Sequence, residues 1–214
     1  MIKPNMRIFA NYFSAFLLIG ANPCFLHFAI RNSPPLSLLR HRAIGGQQSI
    51  SSPCDKVKIE NHLIGWGHRI ENREHNIEAI IIHSSYNALG SDSFNIDGIL
   101  REYRDIKVSP HYVINRGGTI YQLVADKDVA YHAGKSRLPD GKKDVNAVSI
   151  GIEIINTEND SPTEVQYLSL ANLVKCLKSK YPIKYVLGHS DIAPGRKTDP
   201  WNFDWRKFDD LLRK

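Results

Sequence analysis

Cysteine is scarce in this 214-residue chain, and the three present, Cys24, Cys54 and Cys176, form no CxxC pair. That excludes a small disulfide-framework protein and a cysteine-cluster zinc module. Cys176 falls inside an amphipathic pattern and reads as a reduced core thiol, so an exported form is not expected to rely on disulfides. No HExxH run and no internal repeat are present, which removes the helical metalloprotease pattern and solenoid architectures. A basic body is missing as well. The formal charge is +6, yet residues 1–60 carry seven Lys/Arg against two acids and so hold +5 of it. Residues 61–214 are nearly neutral and lack an aromatic-basic repeat, which argues against nucleic acid as a partner.

Long apolar runs are also absent, except near the start. Ile8 to Ile30 contains no Asp, Glu, Lys or Arg and follows Lys3 and Arg7, the layout of a signal peptide or signal anchor over residues 1–30. Asn22, Pro23 and His27 would be costly inside hydrocarbon, so a signal or anchor outranks a true span. Pro23 and Pro53 stand before Cys24 and Cys54, where a lipid-bearing cysteine needs a small residue, which argues against lipidation. The expected location is therefore outside the cytoplasm, periplasmic or at the cell envelope, with a membrane tether through the N-terminal segment as an option. Residues 31–56, with Pro34-Pro35, Gly45-Gly46 and a Ser-rich run ending at Pro53, read as a disordered linker. The folded domain is expected over residues 57–214, and no oligomeric state follows from the sequence.

Within that domain the periodicities alternate. Glu78 to His83 is a β-branched run suited to a strand buried on both faces, with His83 at its end. Ser93 to Arg104 spaces Ile96, Ile99, Leu100 and Tyr103 at helical intervals. His111–Asn115 and Thr119–Val124 flank Arg116-Gly117-Gly118 and predict a β-hairpin. Ser149–Asn156 predicts another strand, with Ile150, Ile152 and Ile154 on one face and Glu153 on the other beside Gly151 and Ile155. Ser161-Pro162-Thr163-Glu164 reads as a capping box, opening a helix that presents Tyr167, Leu170, Ala171, Val174 and Leu177 and stops before Pro182. Trp205, Phe208, Leu211 and Leu212 form a short last helix. The expected fold is a single α/β domain, a mixed, mainly β sheet flanked by helices.

The chemistry concentrates in Gly188-His189-Ser190-Asp191-Ile192-Ala193-Pro194-Gly195-Arg196-Lys197-Thr198-Asp199-Pro200. His189 follows the apolar run Tyr185-Val186-Leu187 and should mark where a strand surfaces into a loop. Pro194, Gly195 and Pro200 forbid a regular helix across the segment, so the loop can fold Asp199 back toward His189. His83, His189 and Asp199 would give a zinc ion two nitrogens and one oxygen with a fourth position open. Glu153, set in an Ile-rich strand, needs a cation or an activated water, or must stay protonated. It is the candidate general base, and Lys197 the candidate oxyanion cation. A structural ion pair between Glu153 and Lys197 is the alternative.

Ile80-Ile81-Ile82-His83, Ser109-Pro110-His111-Tyr112-Val113-Ile114, Tyr131-His132-Ala133-Gly134, Ser149-Ile150-Gly151-Ile152-Glu153 and the Gly188–Pro200 segment resemble, in that order, the zinc-dependent N-acetylmuramoyl-L-alanine amidases of type 2. This family includes peptidoglycan recognition proteins, and the likeness covers roughly residues 75–205. It implies Zn2+ held by His83, His189 and Asp199, with Glu153 and Lys197 catalytic, and hydrolysis of the amide between N-acetylmuramic acid and L-alanine in peptidoglycan or muropeptides. His132 and Arg137 fall at substrate-groove positions, though His132 also reads as a hydrogen-bonded loop histidine. Trp201 after Pro200, and Ser136-Arg137-Leu138 where many members carry tryptophan, depart from the pattern on the groove walls. A module that binds muropeptides without cutting them is the alternative function.

Overall fold

The computed structural model describes residues 52–73 and 76–214. The proposed leader, and all of the expected linker before Ser52, lie outside the described residues. A 3-10 turn (Pro53–Lys56) is followed by strands β1 (Ile59–Asn61), β2 (His68–Arg69) and β3 (Ala79–Ser85), then helix α1 (Ile96–Asp105). Next come β4 (Tyr112–Ile114), β5 (Ile120–Gln122), β6 (Val129–Ala130), α2 (Val145–Val148) and β7 (Ser149–Ile155). Helix α3 (Glu164–Lys180), β8 (Tyr185–Gly188), the single turn α4 (His189–Ile192) and α5 (Trp205–Arg213) complete the chain.

Six strands form one mixed sheet in the order β1-β5-β4-β7-β3-β8, while β2 and β6 make a separate antiparallel pair. β4 and β5 are the predicted antiparallel hairpin, and β4, β7, β3 and β8 run parallel to their neighbours. β3 sits between β7 and β8, so Ile80, Ile81 and Ile82 are fully buried on both faces, as their β-branched run requires. One face packs Ile80, Ile82, Ile150, Ile152 and Ile154 against α3 and Phe208 of α5. The opposite face carries Ile81 with Leu187, and Val113 and Ile155 with Ile99 and Tyr103 of α1. This second face carries the chemistry.

Three expectations need correcting. First, Cys176 is not a free thiol but is joined by a disulfide to Cys54, which lies not in a linker but in an ordered turn, Pro53–Lys56, that is capped by Ser52 and belongs to the domain. The capping box of α3 is Thr163 with Gln166, not Ser161 with Glu164. The Gln166 N–H donates to Thr163 Oγ1 at 3.2 Å and the Thr163 N–H donates to Gln166 Oε1 at 3.0 Å. Gln166 is fully buried and its amide also donates to the Ile114 and Ile155 carbonyls. A carboxylate there could not donate, which explains why the box settles on the amide. Third, His189 opens a helical turn rather than a loop, and the turn ends before Pro194.

The disulfide spans 122 residues of sequence. Cys54→Ser should therefore destabilise the domain by about 2–5 kcal/mol, chiefly by releasing the unfolded chain. Denaturant unfolding checks this, and an unchanged midpoint would show that the bond adds nothing.

Candidate metal centre

Strand register builds the site. On parallel neighbours, His83 of β3 pairs with Glu153 of β7, and Ile82 pairs with Gly188, the last residue of β8, so His189 opens α4 directly after it. Glu153 and His83 thus stand side by side near the carboxyl ends of their strands, with His189 just beyond the end of the third. Asp199 arrives from the loop after α4, where the Ser190 N–H donates to the Asp199 carbonyl at 2.9 Å. Gly188 permits that approach, because a Cβ there would lie 2.7 Å from Pro200 Cδ.

The structure brings His83, His189 and Asp199 together. His83 Nδ1 lies 3.0 Å from His189 Nδ1, and Asp199 Oδ2 lies 3.3 Å from the first and 3.2 Å from the second. Tetrahedral coordination with bonds of about 2.0–2.1 Å would space donors roughly 3.3 Å apart, so the triad fits a zinc-sized ion. All three residues are buried. Burial, with the neighbouring His189, pushes the His83 imidazole down to about 4 even though Asp199 opposes the shift, so its ring is neutral and able to ligate at neutral pH. Asp199 is also desolvated, yet the adjoining His189 and His83 imidazoles outweigh that cost and hold it below the usual carboxylate range.

Glu153 is half-buried, and its Oε2 is shielded from solvent without a hydrogen-bond partner among the described residues. Burial, followed by the Asp199 charge, pushes its carboxyl up to about 8, against the hydrogen bond from Ser85 and the charge of Lys197. Ser85 also meets the Tyr103 hydroxyl at close range. Lys197 is exposed, and its charge acts on both Glu153 and His83. No ion pair joins it to Glu153 among the described residues, so the structural-pair alternative is not realised.

His132 stands beside the triad, its Nδ1 3.0 Å from His83 Nε2. Arg137 is exposed, with Nη1 donating to the Gly141 carbonyl at 3.1 Å. It lines a cleft of about 420 Å³ together with Lys135, Lys143, Asp144 and Arg196. The Arg196 guanidinium donates to the Ala133 carbonyl, which also accepts from His189 Nε2. Sequence reasoning missed Ser85, Tyr103, Asn146 and Ser149. Ser85 was within reach, since it lies two residues beyond His83 on the same strand face. The other three depend on register and loop packing that no local pattern encodes.

The sequence matches the N-acetylmuramoyl-L-alanine amidase family over residues 73–202. It is 42% identical over 116 residues to 1,6-anhydro-N-acetylmuramyl-L-alanine amidase AmpD of Escherichia coli K12, covering 53% of this chain and 63% of that protein. It is 33% identical over 150 residues to N-acetylmuramoyl-L-alanine amidase AmiD of the same organism, covering 61% of this chain and 51% of that protein. The chain therefore spans less than two thirds of the length of either relative. Among solved structures, a selenomethionine derivative of AmpD superposes with a TM-score of 0.59 at 30% identity, covering 72% of this chain and 94% of that one. AmiD from E. coli, in complex with anhydro-N-acetylmuramic acid-L-Ala-D-gamma-Glu-L-Lys, superposes with a TM-score of 0.55 at 30% identity, covering 64% and 57%. With its mixed sheet, its ordered motifs and a convergent triad all accounted for on one stretch, the chain belongs to the N-acetylmuramoyl-L-alanine amidase family.

Proposed function

We propose that the protein is a zinc-dependent amidase that hydrolyses the bond between N-acetylmuramic acid and L-alanine in peptidoglycan or muropeptides, anhydro forms included. One observation carries this reading. Three donor atoms of His83, His189 and Asp199 lie within 4.8 Å of one another, and His83 is the cross-strand neighbour of Glu153, whose shielded carboxylate oxygen lacks a partner among the described residues. The names of the relatives and the muropeptide bound to AmiD supply the substrate class.

His83, His189 and Asp199 would hold the ion, which when bound supplies a Lewis acid and an acidified water. Burial favours the protonated form of Glu153, and the ionised form is favoured beside a bound cation; its Oε2 would then accept a proton from the attacking water and return it to the amide nitrogen as the C–N bond breaks, releasing a muramoyl carboxylate and a peptide amine. The Lys197 ammonium balances the negative charge that gathers on the carbonyl oxygen. Arg137, with its basic neighbours, offers contacts to the carboxylates of the stem peptide. A purely binding module would have no use for Glu153, which keeps an unpaired buried oxygen at an energetic cost.

Export fits the leader layout, and the Cys54–Cys176 disulfide suits an oxidising compartment. No helix among the described residues is long and apolar enough to cross a membrane. The test is to measure zinc content together with stem-peptide release from purified muropeptides. Stoichiometric zinc with release of free peptide is expected, and a metal-free protein that binds muropeptide without releasing peptide would overturn the reading.

A further inference from the structure

A single loop dipeptide, His132-Ala133, touches both imidazoles of the triad on the side away from the metal-facing atoms. The Ala133 carbonyl lies 3.2 Å from His189 Nε2 and can only accept, so His189 carries its proton on Nε2 and leaves Nδ1 bare. His83 has no carbonyl partner. Its Nε2 faces His132 Nδ1 at 3.0 Å, and two imidazoles can share a proton in either direction.

Ser149 settles the direction. Its hydroxyl lies 2.6 Å from the Val145 carbonyl and must donate there, because that oxygen has no proton to give. The serine oxygen, 3.3 Å from His132 Nε2, is therefore left as an acceptor. His132 donates from Nε2, its Nδ1 becomes an acceptor, and His83 must donate from Nε2. His83 Nδ1 is then bare as well.

We infer that His132 and Ser149 form an orienting relay, Val145 carbonyl to Ser149 to His132 to His83, that fixes the His83 tautomer for metal binding, and that His132 is a positioning residue rather than a substrate contact. The relay is built rather than incidental. Asn146 Oδ1 accepts from the N–H groups of both His132 and Ala133, at 3.1 and 2.8 Å, and pins the loop. Gly151 leaves the space that the ring fills, since a Cβ there would lie 2.4 Å from His132 Cγ. The relay at His83 and the Ala133 carbonyl at His189 together aim two nitrogen lone pairs beside the Asp199 carboxylate oxygen, an arrangement that favours a cation.

This inference rests on the zinc reading above, and its test separates the two. Zinc dissociation constants of the full chain are measured by competition with a chromogenic chelator, and imidazole nitrogen shifts report the tautomer of His83. His132→Phe fills the ring space without an acceptor and should weaken zinc binding about ten- to hundredfold, with loss of the Nε2–H preference at His83. His132→Asn keeps an acceptor near the Nδ1 position and should restore most of the affinity. Ser149→Ala should give a smaller loss of the same sign, and it carries the test should His132→Phe fail to fold. Phe and wild-type proteins of equal affinity, Asn as weak as Phe, or an unaltered tautomer and affinity in Ser149→Ala would overturn the relay. Failure of the unaltered protein to bind zinc would instead remove the metal reading itself.

Discussion

Glu153→Ala should lower turnover of a muropeptide substrate about a hundred- to ten-thousandfold, the range expected when a positioned general base is removed, while bound zinc stays at the wild-type level. The reasoning is geometric. Glu153 is the cross-strand neighbour of His83 but contributes none of the three converging donor atoms. Its Oε2 has no partner among the described residues, so beyond the hydrogen bond from Ser85 its removal leaves no protein donor stranded there. Removing it should also relieve a desolvated carboxyl, and thermal stability of the zinc-free variant should not fall. Kinetics alongside metal analysis check the assignment. Loss of zinc with the carboxylate would make Glu153 a ligand, and wild-type turnover would remove it from the mechanism.

Asp199→Ala should act through metal occupancy. It deletes one of three donors and leaves two imidazoles, so zinc affinity should fall by more than the ten- to hundredfold typical of changes outside the coordination shell. Activity at limiting zinc should fall with it and recover in part when zinc is raised, whereas Glu153→Ala should not recover at any zinc concentration. Titration with a zinc buffer distinguishes the two patterns. Full zinc and full activity in Asp199→Ala would strike this residue from the ligand set.

Local pattern made much of this molecule readable in advance. The run Glu78 to His83 could only be a doubly covered strand, the Arg116-Gly117-Gly118 hairpin formed where turn chemistry placed it, and Tyr167, Leu170, Ala171, Val174 and Leu177 are all buried on α3. His83, His189, Asp199 and Glu153 were legible for a different reason: each sits in a motif whose order along the chain recurs in a known family. What escaped depended on distance. Three cysteines allow three pairings, and spacing says nothing about Cys54 meeting Cys176 across 122 residues. The cap of α3 slipped to Thr163 because the buried site for Gln166 requires a group that both donates and accepts. His132 read equally well as a groove residue or a bonded loop histidine, and its seat over Gly151 depends on a parallel register of β3 on β7 that no local pattern encodes.

Cys54 fastens the beginning of the domain to α3, which packs on the sheet face turned away from His83 and Glu153. Any pull transmitted along the chain from before Ser52 would thus be borne by a covalent rivet on the rear of the sheet. The covalent link and the converging side chains occupy opposite sides of the same six strands, so breaking one leaves the other's surroundings untouched.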